Sequence, residues 1–245
     1  MNNNIWKSFH RHTSTGDYYS DYVPSANYEK NVKQNYYNSK DIIYLNRNDN
    51  QNKDNIKDIL IKRKSTRDFN FNVSINLLEL SDILIWSYST VINNGLFKNT
   101  VPSAGARYPI EIHIINNNVE GLKKGIYHYN QKKSYLELTN DTKMPYEDIT
   151  NLCLNQSFIY NSSAVICLCA DFTRTISKYG DRGYRYVFID AGHIGQNLYL
   201  MAAKNNIGIV GIGGFKDIKL KNILSLPASE YPIYLFAIGR ELESK

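Results

Sequence analysis

Apolar residues along this chain recur at changing intervals, and each interval predicts an element. Ile56, Ile59 and Leu60, with Ile61, predict a helix over Asn55–Lys64. Leu77, Leu78, Leu80, Ile83, Leu84 and Trp86 follow at helical period behind Ser74 or Asn76, either of which suits an N-cap. VPSAGARYP places small residues between two prolines and predicts a turn. EIHIIN alternates as a strand, and GIYHYN with SYLEL forms a predicted hairpin. PYEDITNLCLNQ reads as a helix with Pro145 in its first turn, and AVICLCADF as a buried strand. The longest periodic run begins near Tyr184. Tyr184, Val187, Phe188, Ala191, Ile194, Gly195, Leu198, Met201 and Ala202 give an amphipathic helix that Gly208 ends. Ala191, Gly192 and Gly195 make its middle narrow enough for another helix to approach closely. GIVGIGGF, a short helix over Asp217–Leu224 and the strand YPIYLFAIGR complete the pattern.

Helices and strands without regular βαβ alternation predict an α+β fold. Residues 1–52 are rich in Asn, Tyr and Lys and poor in apolar groups, which predicts an N-terminal arm, extended or partly ordered, lying over the body or a partner. Residues 53–245 form the predicted folded domain, and a hydrophobic share of 42% in 245 residues is enough for a sizeable core. No apolar run is long enough to span a membrane, and the polar start lacks a secretory core, so a cytoplasmic protein is expected. Cys153, Cys167 and Cys169 are too few and too clustered for a disulfide framework and read as core thiols. His10 and His12 lack companions for a metal shell, so no metal is expected. The net charge of +6 and pI near 9.0 come from scattered basic residues with no nucleic-acid signature. An anionic cofactor or substrate explains that charge equally well. Gly211-Ile212-Gly213-Gly214 is not the GxGxxG fingerprint, which argues against a Rossmann dinucleotide site.

One basic stretch carries candidate chemistry. In RKSTRDF, Arg63, Ser65 and Arg67 lie two apart, so on an extended segment all three side chains share a face. Two guanidiniums and a hydroxyl on one face suit a phosphate. A solvated basic helix end accounts for the same residues.

Several motifs then occur in order: RKSTRDF, VPSAGARYPIEIHII, GIYHY, SKYGDRGYRYVFIDAGHIGQNLYLMAA, GIGGF and a terminal AIGR. Over roughly residues 55–240 this series resembles the nitroreductase-like flavoproteins, specifically the SagB/McbC-type peptide azoline dehydrogenases. FHRHTS in the arm is more loosely similar to the start of many such proteins. The resemblance implies an α+β homodimer, its central antiparallel or mixed sheet flanked by helices, with FMN at the subunit interface. It implies that Arg63, Ser65 and Arg67 grip the FMN phosphate, joined by Arg240 after the last strand. Pro102, Ser103, Ala104 and Gly105 match the segment lying against the flavin ring from the other subunit, and Gly213 and Gly214 the loop whose backbone faces flavin N5. Lys178 and Tyr179 match the catalytic Lys-Tyr pair.

Aromatising an azoline removes a proton from one ring carbon and a hydride from its neighbour, so a base is needed beside a flavin. A phenol is a poor base at neutral pH until a neighbouring ammonium favours its phenolate. Lys178 as activator of Tyr179 and Lys178 as the base itself both stay open. Arg185 and Gln196 are further flavin-site candidates, and Arg185 equally suits a peptide carbonyl or an ion pair with Asp181 or Asp190. The expected substrate is a ribosomally made peptide, with a cyclodehydratase complex supplied as separate proteins; neither nucleic acid nor a membrane span is expected. The alternatives are an NAD(P)H-dependent nitro- or quinone reductase, an oxidase of a cyclic dipeptide or carrier-bound thiazoline, and a flavin-free scaffold subunit.

Overall fold

A computed structural model describes residues 9, 41–46, 55–93, 96–141 and 146–242. Its centre is a seven-stranded sheet in the order β1-β6-β5-β4-β7-β9-β8. The strands are β1 (Ile42–Tyr44), β4 (Ile110–Asn116), β5 (Gly125–Asn130), β6 (Tyr135–Asn140), β7 (Ala164–Asp171), β8 (Gly208–Ile212) and β9 (Glu230–Gly239). Every neighbouring pair is antiparallel. β2 (Thr90–Asn93) and β3 (Leu96–Asn99) form a separate hairpin. The helices are α1 (Ile56–Lys62), α2 (Leu77–Ser87), α3 (Tyr146–Leu152), α4 (Phe172–Tyr179), α5 (Arg182–Lys204) and α6 (Asp217–Ile223). The α+β class and the helix-flanked sheet are as expected.

The sheet is covered on both sides. Leu80, Ile83 and Leu84 of α2 and Val187, Ile194 and Leu198 of α5 pack with Ile112, Ile166 and Phe236 in one core. Ile149 and Cys153 join Leu220 and Leu224 around Val165, Cys167 and Leu235 in the other. β4 and β7 are therefore buried on both faces, as central strands must be.

Asn76, not Ser74, caps α2: its Oδ1 accepts the Glu79 N–H while Glu79 Oε2 accepts the Asn76 N–H, both at 2.9 Å. The long helix stops at Lys204 rather than at Gly208, because Asn206 takes the left-handed conformation (φ 52°) and the Ile207 N–H returns to the Ala202 carbonyl. On one side its narrow middle lies against the sheet. A Cβ on Gly195 would lie 2.8 Å from the Phe236 ring, while Gly192 faces open space. Ile42–Tyr44, inside the segment read as an arm, pairs with β6 at the sheet edge. Pro145, His10, His12 and most of the arm lie outside the described residues. Among the described residues no helix is long and apolar enough to cross a membrane.

Candidate active site

Two groups of the expected site residues sit at opposite ends of α5. At its N-terminal end, α4 delivers Lys178 and Tyr179 in its last turn and stops at Gly180, whose φ of 55° turns the chain into α5. Gly183 lets the two helices meet, since a Cβ there would lie 3.0 Å from the Thr175 backbone. The Val101–Pro109 loop folds onto the same corner. Gly105, at φ 58°, comes so close that a Cβ on it would lie 2.5 Å from Tyr179 Oη and 2.7 Å from Lys178 Nζ. Tyr179 is also edge-on to Tyr186, ring centroids 5.1 Å apart.

This loop is held in an unfavourable shape. Ala106 and Tyr108 have φ of 54° and 46°, conformations that a branched or bulky side chain normally avoids. Ser103 Oγ donates to the Asp190 carboxylate at 2.5 Å and accepts the Tyr108 N–H at 2.9 Å. Burial pushes the Asp190 carboxyl up, against the opposing pull of the Ser103 and Ala104 hydrogen bonds. Arg107 and Arg174 clasp the loop and α4 together: Arg107 Nε donates to the Arg174 carbonyl at 2.6 Å, and Arg174 NH1 to the Tyr108 carbonyl at 3.0 Å. Arg174 also forms an ion pair with Glu111 at 2.5 Å and with Asp171 at 3.3 Å. Glu111 in turn meets His128 Nε2 at 2.8 Å, and His128 Nδ1 lies 3.4 Å from Glu137.

These charges set one another. Burial works against ionised Glu111, but the His128 hydrogen bond and the Arg174 charge outweigh it and hold the carboxyl below its usual range. His128 is raised, the two glutamates outweighing burial. Glu230, fully buried, is pushed by burial and then by the Glu111 charge from 4.5 to about 7. A raised acid keeps its proton in the folded chain while the unfolded chain releases it, so this group's contribution to stability falls from pH 4.5 to about 7 and is level above. Glu230→Gln is therefore expected to raise stability at pH 8 by roughly 3 kcal/mol, at 1.36 kcal/mol per pH unit, and to flatten the fall between those limits. Urea unfolding at pH 5 and pH 8 measures both.

At the other end of α5, Thr66 N–H pairs with the Ile209 carbonyl and lays the basic segment along the edge strand β8. Arg63 lies over the Tyr199 ring at 5.6 Å and Arg67 over Phe158 at 6.0 Å, with exposed Ser65 between them in sequence. Ser65 Oγ is 3.0 Å from Tyr199 Oη, which also accepts the Gly211 N–H at 2.8 Å. Gly213 is exposed, with nothing within 4 Å of where a Cβ would stand, and Gln156 Nε2 tethers the next carbonyl, of Gly214, at 3.1 Å. Arg240 is paired with Glu79 beside the start of α2. Arg185 lies over Phe9 at 6.0 Å, and Gln196 and His193 sit on the outer face of α5.

The nitroreductase family profile matches residues 60–240. The chain belongs to the nitroreductase family. Among nitroreductase relatives, MJ1384 of Methanocaldococcus jannaschii, itself assigned as a nitroreductase, is 39% identical over 188 residues, covering 77% of this chain and 92% of that one. The microcin B17-processing protein McbC of Escherichia coli is 26% identical over 134 residues, which span 52% of this chain and 48% of McbC. The solved E. coli microcin synthetase McbBCD complex contains a chain matching 98% of this one over 92% of its own length, with a TM-score of 0.65; at 18% identity that likeness concerns the fold. For a nitroreductase read from sequence, Arg107, Glu111, Arg174, Asp190 and Tyr199 are additions to the site. Of these, Asp190 stands out in the sequence as an ion-pair candidate for Arg185.

Proposed function

We propose that this protein is an FMN-dependent dehydrogenase that oxidises azolines in a ribosomally made peptide. The observation that carries the reading is the meeting of Lys178, Tyr179 and Gly105 at one corner. A base and a phenol thus face a loop that presents backbone rather than side chain. The similarity to McbC, a microcin-processing protein, supports a peptide as substrate.

Arg63, Ser65 and Arg67 have the donor chemistry for the FMN phosphate, and the open space at Gly213 leaves room for a flat ring against the backbone. Bound flavin supplies the hydride acceptor. Lys178 and Tyr179 take the proton from the adjacent azoline carbon, the ammonium favouring the phenolate or, once desolvated, serving as base itself. Asp190 orients Ser103, and Gly105 keeps the corner clear.

One chain does not complete this site. Gly183 and Tyr199 are about 24 Å apart along α5 at roughly 1.5 Å per residue, farther than one extended mononucleotide reaches. A two-fold copy, its α5 antiparallel, brings the Lys178 end of one subunit to the Ser65 end of the other. Tyr184, Phe188, Ile189, Gly192, His193 and Gln196 form a continuous exposed stripe on α5 suited to that contact. A cyclodehydratase partner follows from the substrate, and a cytoplasmic setting suits both.

Gly105→Ala adds a methyl group where Tyr179 and Lys178 stand, in a conformation that disfavours side chains. Oxidation is expected to fall about a hundredfold, as misplaced reacting groups do, with flavin content kept. Rate and flavin absorbance measured on the same preparation check this. The 39% identity to MJ1384 favours a second reading, an NAD(P)H-dependent reductase. Mixing the protein with an azoline peptide and separately with NADPH decides between them. Bleached flavin with a peptide lighter by two hydrogens supports the dehydrogenase; rapid bleaching by NADPH alone supports the reductase.

A further inference from the structure

We propose that Tyr199 is a positioning residue that turns Ser65 into a hydrogen-bond donor for the cofactor phosphate; this rests on the flavin reading above. Three groups converge on this one side chain. The Gly211 N–H reaches Tyr199 Oη at 2.8 Å, Ser65 Oγ lies 3.0 Å from the same oxygen, and the Arg63 guanidinium sits 5.6 Å from the ring centre. The ring is held from below by an edge contact with Phe236, centroids 5.9 Å apart.

Hydrogen-bond direction carries the inference. A backbone N–H can only donate, so the Gly211 bond occupies a lone pair of Oη and leaves the phenolic proton for another acceptor. Ser65 Oγ is placed to take it. A hydroxyl that accepts through its oxygen keeps its own proton, and the exposed Ser65 can direct that proton outward. Phosphate oxygens on the Arg63 and Arg67 face only accept, so binding selects one direction of donation: Gly211 N–H to Tyr199 Oη, Tyr199 O–H to Ser65 Oγ, and Ser65 O–H to the phosphate. Successive bonds of this kind polarise one another. The relay also joins the basic segment to the strand leading into Gly213 and Gly214, adding a side-chain link to the Thr66–Ile209 backbone bond between the phosphate grip and the ring-facing loop.

The test uses full-length protein depleted of flavin and titrated with FMN and with riboflavin, which lacks the phosphate. Tyr199→Phe keeps the ring under Arg63 but removes the relay. It is expected to weaken FMN about tenfold, the worth of a hydrogen bond to a charged group, and to leave riboflavin within about twofold. Ser65→Ala is expected to show the same selective loss, and the double variant to be no weaker than Ser65→Ala alone. FMN preference unchanged in Tyr199→Phe, equal loss of both ligands, or additive losses in the double variant would each overturn the relay while leaving the flavin reading intact. Wild-type protein that binds neither ligand would instead remove the flavin reading itself.

Discussion

Tyr179→Phe is expected to lower azoline oxidation by about 10²–10⁴-fold, the usual contribution of a positioned proton acceptor. The change deletes one oxygen and keeps the ring against Tyr186, so folding and cofactor content are expected to match the wild type. Lys178→Met is expected to fail to a similar degree, because both polar atoms crowd the same point beside Gly105. Single-turnover bleaching of the flavin by an azoline peptide isolates the step. A Tyr179→Phe protein that bleaches at the wild-type rate would remove the pair from the chemistry.

Arg174→Leu is expected to destabilise the protein by about 3 kcal/mol, since removing this partner leaves the buried Glu111 with His128 as its remaining counter-charge. The effect extends beyond stability. Arg174 holds the Tyr108 carbonyl, and Tyr108 and Ala106 keep positive φ only while the surroundings enforce it. Activity is therefore expected to fall further than the folded fraction does. Arg174→Lys restores charge without the planar fork that reaches Glu111 and Tyr108 together, so an intermediate stability with poor activity is expected. Urea unfolding beside a rate assay measures both; a loss below about 1 kcal/mol would mean that the cluster does not depend on this ion pair.

How far the sequence is legible varies by element for physical reasons. α2 is readable because its capping pair and its apolar period agree. The buried polar groups are not: Glu111 and His113 alternate with isoleucines in EIHIIN, which normally marks a strand with one wet face, yet β4 is buried throughout. β1, three residues in an Asn-rich stretch, is too short to show a period. The β2–β3 hairpin had a signal in Asn94-Gly95, a favoured turn pair, although those two residues lie outside the described ones. Within the site, Lys178 and Tyr179 are adjacent and readable as a motif. Their approach to Gly105, and the Arg107–Arg174 clasp that enforces it, depend on distant segments meeting. Tyr199 reads as another aromatic on an amphipathic helix until Ser65 and Gly211 are seen at its hydroxyl.

The most direct measurement is the absorption spectrum of the purified full-length protein, taken with its molar mass in solution and mass spectrometry of any released cofactor. The expected result is a yellow dimer that releases one FMN per chain. A colourless monomer that takes up no FMN when it is added would contradict a flavin site shared between two subunits.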